Sequence, residues 1–353
     1  MKNNKKLVFR SDGASLPEIG TGHIMRNIAI ADSFVSRKIC MHSEISFISK
    51  SKGPFSIGSD LVKKSGYKLQ TIDDKLLDWN SPEEAKVIIE INPHLLVIDR
   101  LSTKSQWMIE LKSHIKNVVS MDDIGNGAFY ADAVINAILH DIPSGKARYI
   151  GYEYMFLKAS KTPFRTKVPA NVNRIVASFG GYDSRNLMGF FLDTLEKYDA
   201  LVDKNTIIEL LVGSENNKKI NSWKNQAKKI SLKYNNDICL EVRPSNFLQR
   251  LANADLAILS GGLTIFDAVS FGIPSIGLPQ YNHQHQTIKN LTKKMAIKSG
   301  SNEMILDESY FLRAFNETMS SKKIRGSLKK NGRNLIDGKG SKRVIDILSF
   351  YTH

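Results

Sequence analysis

Leu7-Val8-Phe9, followed by Gly20-Thr21-Gly22-His23-Ile24, is the stretch that decides how this chain folds. An apolar run, a glycine turn and then apolar residues at Ile24, Ile28, Ala29 and Ala31 read as strand, loop and helix. Glycines at 20 and 22 let backbone approach a ligand closely, because neither carries a Cβ. The helix that starts there aims its first N–H groups, and its positive dipole end, at an anion. His23 stands at that junction, and imidazole as a side-chain type titrates near neutral pH, which suits acid–base work. A second glycine turn, Ser260-Gly261-Gly262-Leu263-Thr264, is placed comparably in the other half. One half-site per half predicts a ligand held in a cleft between two domains.

The alternation continues outward from both turns. Leu7–Arg10, Ile45–Ile48, Leu95–Asp99, Val118–Asp122 and Ala133–Ile135 read as buried parallel strands, largely apolar on both faces. Met25–Ser36, Gly58–Ser65 and Glu83–Ile91 read as the helices between them. In the second half the strands are Arg174–Phe179, Ile207–Val212, Ile238–Val242, Leu256–Ser260 and Pro274–Leu278. Its helices are Leu187–Tyr198, Asn221–Lys233, Ser245–Ala252 and Thr264–Phe271. The expected fold is therefore α/β, two doubly wound Rossmann-like domains facing a cleft. The proline-containing polar stretch Lys161–Pro169 has linker composition. It sets an N-terminal domain at 1–160, a linker at 161–173 and a C-terminal domain at 174–353. The last helical pattern, Val344–Phe350, fits against either domain.

With 353 residues, 42% hydrophobic and 24% charged, the chain has material for two cores. No apolar run approaches the ~20 residues that span a bilayer. The basic start Met1–Lys6 precedes only three apolar residues, too few for a signal peptide, so a cytoplasmic location is expected. Cys40 and Cys239 sit in separate apolar patterns and read as reduced core residues. The net charge of +15 suggests a Lys-rich solvated surface, and it is compatible with peripheral contact with an anionic membrane. The late basic cluster Lys322, Lys323, Arg325, Lys329, Lys330 and Arg333 lacks the aromatic interleaving that stacks on bases. No nucleic-acid partner is expected, and a monomer is.

Polar groups end several of these strands, where open α/β sheets place their ligands. They are Arg10 and Asp12, Asp99, Asp122-Asp123, Ser178–Asp183, Gly213-Ser214-Glu215 and the 260–264 turn. Asn282–Gln286 follows a further strand and reads as a polar turn whose Asn282 and Gln286 amides could bond a ligand. His283 and His285 there lack a Cys, Asp or Glu to complete a metal site, so no metal or other cofactor is expected. Neither a G-x-S-x-G elbow nor a Walker A motif occurs, which disfavours triad hydrolases and P-loop enzymes.

Together these residues resemble the PseG/SpsG-like nucleotide-sugar hydrolase family, a branch of the GT-B superfamily related to MurG. The resemblance covers nearly the whole chain. It runs through Arg10-Ser11-Asp12, Ile19–Arg26, Leu96–Asp99, Asp122-Asp123, Gly151–Lys158, Ser178–Asp183, Gly261-Gly262 and Gly338–Val344. It implies a UDP-2,4-diacetamido-2,4,6-trideoxy-β-L-altropyranose hydrolase of pseudaminic acid biosynthesis, or a close functional relative. His23 would be the catalytic base that activates water at the anomeric carbon, with UDP leaving. Arg10, Asp12, Gly20, Gly22, Arg26, Asp99 and Tyr154 would serve the sugar side. Gly180, Gly181, Gly261, Gly262, Leu263, Thr264, Asp267, Asn282 and Gln286 would serve the nucleotide. Three positions depart from the family pattern: Asp267 stands where Glu is usual, Arg100-Leu101 where His-Tyr often follows Asp99, and Asn282–Gln286 where Asn-Gln is expected. A GT-B glycosyltransferase would need the same base for an acceptor hydroxyl. A non-catalytic nucleotide-sugar-binding protein is the alternative that needs no base.

Overall fold

In the computed structural model, the described residues are 6–16, 19–72, 79–138, 147–157, 167–198, 202–213 and 216–352. Residues 158 and 161–166 of the expected boundary and linker, and Ser214 and Glu215, lie outside them. The chain divides into two compact units, Met1–Lys158 with Lys339–His353, and Ala159–Gly338.

In the first unit, β1 (Leu7–Ser11) leads to α1 (Gly22–Ser36), β2 (Ile45–Lys50), α2 (Ser56–Lys64) and β3 (Lys68–Ile72). Then come α3 (Pro82–Ile91), β4 (Leu95–Asp99), α4 (Ser105–His114), β5 (Asn117–Met121), β6 (Ala133–Asn136) and β7 (Ala147–Ile150). All pairings are parallel, in the order β3-β2-β1-β4-β5-β6-β7. Side chains alternate across β1, so Leu7 and Phe9 join the layer of α1 and α2 while Val8 joins that of α3 and α4. Helices therefore cover both faces, which is why these strands carry so few polar residues. The order reverses between β1 and β4, and such a switch point opens a crevice at the strands' carboxyl ends. The loop leaving β1 passes hard against α2. A Cβ at Gly13 would lie 3.0 Å from the Gly58 Cα, so neither position has room for a side chain.

The second unit comprises β8 (Arg174–Ser178), α5 (Leu187–Lys197), β9 (Ile207–Val212), α6 (Asn217–Tyr234), β10 (Asp237–Val242), α7 (Phe247–Ala252), β11 (Leu256–Ser260) and α8 (Leu263–Phe271). It continues through β12 (Ser275–Leu278), α9 (Asn282–Lys293), β13 (Lys298–Ser299), α10 (Glu308–Ser320) and α11 (Lys322–Leu335). Its parallel sheet runs β10-β9-β8-β11-β12-β13, with the reversal between β8 and β11. Both glycine turns of this unit, after β8 and after β11, thus leave the sheet at its switch point.

The last helix, α12 (Gly340–Phe350), returns to the first unit. Val344, Ile345 and Leu348 are buried in the layer of Leu7 and Phe9. Ser341 Oγ donates to the Leu157 carbonyl at 2.7 Å and accepts from the Leu157 N–H at 3.1 Å. The second unit therefore ends at Gly338, short of the expected 353.

Three readings of the sequence need correction. Asn282–Gln286 is the first turn of a helix rather than a polar turn. Cys239 is exposed rather than in the core, because β10 is an edge strand. Arg325 is no part of a solvated basic face. It is fully buried, and its guanidinium donates to the carbonyls of Thr318, Met319, Pro169 and Ala170. Among the described residues no helix is long and apolar enough to cross a membrane.

Candidate active site

The β1–α1 connection delivers His23 to the switch point of the first unit. Gly20 takes the left-handed backbone region at φ +59°, which only glycine adopts freely. Thr21 then precedes α1 without a side-chain cap, and Gly22 and His23 open the helix. Asp99, the last residue of β4, lies in register with Ser11 at the end of β1. His23 Nδ1 is 2.6 Å from Asp99 Oδ1. Arg26, one turn along α1, donates to both oxygens of Asp99, Nε at 2.9 Å and Nη2 at 2.5 Å. It also donates to Asp122, whose other oxygen accepts the Ala137 N–H at 3.0 Å.

Burial by itself would raise the Asp99 carboxyl, but the charges of Arg26 and His23 and their hydrogen bonds outweigh it and hold the group at about 2. An ionised carboxylate only accepts, so Nδ1 of His23 must carry a proton, and whenever the imidazole is neutral its lone pair lies on Nε2. Nε2 has no hydrogen-bond partner among the described residues, and the His23 side chain is 21% exposed. The arrangement therefore presents an oriented basic nitrogen to solvent.

Arg10 and Asp12 occupy a different place. Arg10 is fully buried; Nη1 and Nη2 donate to Asp12 at 2.8 and 2.9 Å, and Nε donates to Glu84 at 2.6 Å. Arg100 also donates to Glu84, and Asp12 Oδ1 accepts the Lys50 N–H at 2.8 Å. Burial opposes ionisation of Asp12, yet Arg10 and Arg100 hold its carboxyl well below the usual range. This neutral four-residue cluster fixes the loop after β1. Glu84 was invisible to sequence reasoning because it lies on α3, far along the chain. Tyr154 packs edge-on against Tyr149, against the same apolar layer as α12.

In the second unit, Gly180 follows β8 at φ +82°. Asp183 accepts the Leu187 and Met188 N–H groups at 2.8 Å each and so caps α5 rather than facing a ligand. Gly262 precedes α8 with no side-chain cap, leaving the first N–H groups of that helix available. A Cβ at Gly261 would lie 2.5 Å from the Gln284 carbonyl oxygen, so glycine is required where α9 crosses this turn. Gln284 is 8% exposed, and its Oε1 accepts the Gln280 N–H at 3.0 Å. That bond turns Nε2 towards the turn, 3.8 Å from where a Gly262 Cβ would stand. Gln280 in turn spans to the other glycine loop. Its Nε2 donates to the Phe179 carbonyl at 2.6 Å, and its Oε1 accepts the Ser184 N–H at 2.8 Å. Asn282 and Gln286 lie exposed on the first turn of α9. The buried amides at this turn are instead Gln280 and Gln284, and helical spacing around 282–286 was the signal that could have found the latter. Leu263 and Thr264 open α8, half-buried, and Asp267 lies one turn in, also half-buried.

Two doubly wound parallel sheets, each carrying a glycine turn at its switch point, define a GT-B-type α/β protein. Solved structures agree in fold: MurG of Acinetobacter baumannii has a TM-score of 0.70 at 12% identity, over 98% of this chain and 99% of that one. LpCGTa in complex with UDP scores 0.63 at 10% identity, over 99% and 100%. In sequence, the chain is similar to the spore coat polysaccharide biosynthesis protein SpsG of Bacillus subtilis (strain 168). It is 29% identical over 270 residues, covering 72% of this chain and 76% of SpsG. It is also 26% identical over 327 residues to an uncharacterized protein of Methanocaldococcus jannaschii, covering 88% of this chain but only 62% of that protein. No protein-family model matches the chain.

Proposed function

We propose that this protein is a nucleotide-sugar hydrolase of surface-polysaccharide or nonulosonic (pseudaminic-type) acid biosynthesis, acting on a deoxy-amino-sugar nucleotide. The observation that carries the reading is the Asp99–His23 pair, with Nδ1 committed and Nε2 available. In this reading Nε2 takes a proton from water as the water oxygen bonds to the anomeric carbon. The bond from that carbon to the phosphate oxygen breaks, and its electron pair leaves with UDP. The diphosphate would sit at the start of α8, where N–H groups and the Gln284 carboxamide stabilise its growing charge without proton transfer. The similarity to a polysaccharide-biosynthesis protein supports the pathway. Transfer to a sugar or lipid hydroxyl is the second reading. It is favoured by the glycosyltransferases among the structural neighbours, such as spinosyn rhamnosyltransferase SpnG complexed with thymidine diphosphate. Purified protein incubated with UDP-, GDP- and CMP-sugars and no acceptor separates the two. Hydrolysis is expected to release free UDP from a UDP-sugar, read by chromatography; release only after an acceptor is added would establish transfer.

Asp267 is assigned to the nucleotide ribose. The carboxylate is half-buried one turn into α8, beyond the first turn where a dipole contact would matter most. Charge-assisted hydrogen bonds of this kind contribute ~1.5–3 kcal/mol each. Asp267→Ala is accordingly expected to weaken UDP binding by about tenfold or more at an unchanged melting temperature. Calorimetric titration of UDP is the measurement, and unchanged affinity would leave Asp267 a structural residue.

A further inference from the structure

Lys50 ends β2 on the carboxyl edge of the first sheet, the edge at which Asp99 ends β4. Only β1 separates the two strands, so at ~4.8 Å per strand their ends lie roughly 10 Å apart. The lysine is 6% exposed. Its Nζ stands 5.2 Å from the centre of the Phe55 ring and 5.0 Å from that of Trp79. Among the described residues Nζ has no hydrogen-bond or ion-pair partner, although the Lys50 backbone N–H is taken by Asp12.

The charges around it explain why that matters. Arg10 and Arg100 are matched by Asp12 and Glu84, so that cluster is already neutral, and among the described residues Lys50 is the cation left over. Burial pushes its ammonium below the usual lysine range, Asp12 and Glu84 opposing the shift and the two arginines adding to it. Ring faces compensate part of the lost hydration, but an ammonium has three donors and aromatic faces accept none of them conventionally. A nearly buried cation with unused donors, at a sheet edge where ligands bind, is completed by an anion from outside.

We infer that Lys50, walled by Phe55 and Trp79, binds a carboxylate or phosphate carried by the ligand whose reacting carbon lies at His23. The inference rests on the nucleotide-sugar reading for the identity of that ligand, and adds that its sugar side is acidic. Under hydrolysis the acidic group belongs to the sugar of the donor, as a substituent beside its amino groups; under transfer it can belong to the acceptor instead.

Calorimetry with matched probes tests this. UDP-glucuronic acid and UDP-glucose share nucleotide and ring and differ in a carboxylate. The wild-type protein is expected to bind the former about tenfold or more tightly, as a charge-assisted contact implies. In Lys50→Met and Lys50→Gln the two affinities should converge, with the affinity for UDP itself unchanged as the control for folding. An acidic acceptor instead gives Lys50-dependent binding of glucuronate or glucose 6-phosphate to the UDP-saturated protein, with no advantage for UDP-glucuronic acid. If UDP binds and neither arm depends on Lys50, the anion site is overturned. If UDP fails to bind at all, the nucleotide reading falls, and titration of glucuronate and glucose 6-phosphate without nucleotide still decides Lys50.

Discussion

Alanine at position 23 is expected to slow nucleotide release by about 10²–10⁴-fold, the usual contribution of a positioned general base, while UDP affinity stays nearly unchanged. The split between the two readouts follows from where the groups lie. His23 belongs to the first unit, and the glycine turn and Gln284 assigned to the diphosphate belong to the second. A base acts only as the bond to water forms, so its loss lowers kcat rather than ground-state binding. The same logic extends to Asp99. As the carboxylate that fixes Nδ1–H, it is expected to matter for turnover and not for UDP. Steady-state release of UDP and calorimetric titration of UDP on the same preparation are the measurements. A variant retaining more than a tenth of the rate would remove His23 from the role of base.

The sequence carried the outline of this result, and the reasons are physical. Strands β1, β4, β9 and β11 are buried on both faces, so their apolar runs stand out and their bounds were read to within a residue. Strands β3 and β13, both at sheet edges, were missed for the opposite reason. In β3, Lys-Leu-Gln-Thr-Ile has a polar character that an outer strand tolerates, and β13 is two residues long. Helix α4 escaped because its buried residues, Trp107, Met108 and Leu111, cover less than two turns. His23 and Asp99 were legible as ends of elements, but their 2.6 Å approach depends on β4 crossing beside β1, which no local pattern encodes. Glu84 and Lys50 stayed hidden on the same ground. Each gains its meaning from residues brought beside it by sheet order, as Gln284 does from the crossing of α9 over Gly261.

Glu84→Gln is expected to destabilise the first unit by about 3–5 kcal/mol, as breaking a buried ion pair does. Glu84 accepts from Arg10 Nε, from both terminal nitrogens of Arg100 and from the Asn80 N–H at 2.9 Å, all within the buried cluster. A carboxamide of the same shape keeps the volume but leaves two buried guanidiniums facing Asp12 alone. Burial works against the ionised Glu84, but Arg10 and Arg100 lower its carboxyl from 4.5 to about 2. A depressed carboxyl contributes stability that is fully present above the unfolded value, here near pH 4.5. That contribution is lost as pH falls towards 2; the gap corresponds to roughly 3 kcal/mol, in line with the mutational figure. Two results are therefore expected from urea unfolding followed by the fluorescence of Trp79 and Trp107, both in the first unit. At pH 7 the variant unfolds at markedly lower urea. Towards pH 2 the difference narrows, because wild-type Glu84 then takes up the proton and loses what the glutamine never had. Equal stability at pH 7 would mean that the arginines find other partners, and the cluster would no longer account for how the residues just after β1 are held in place.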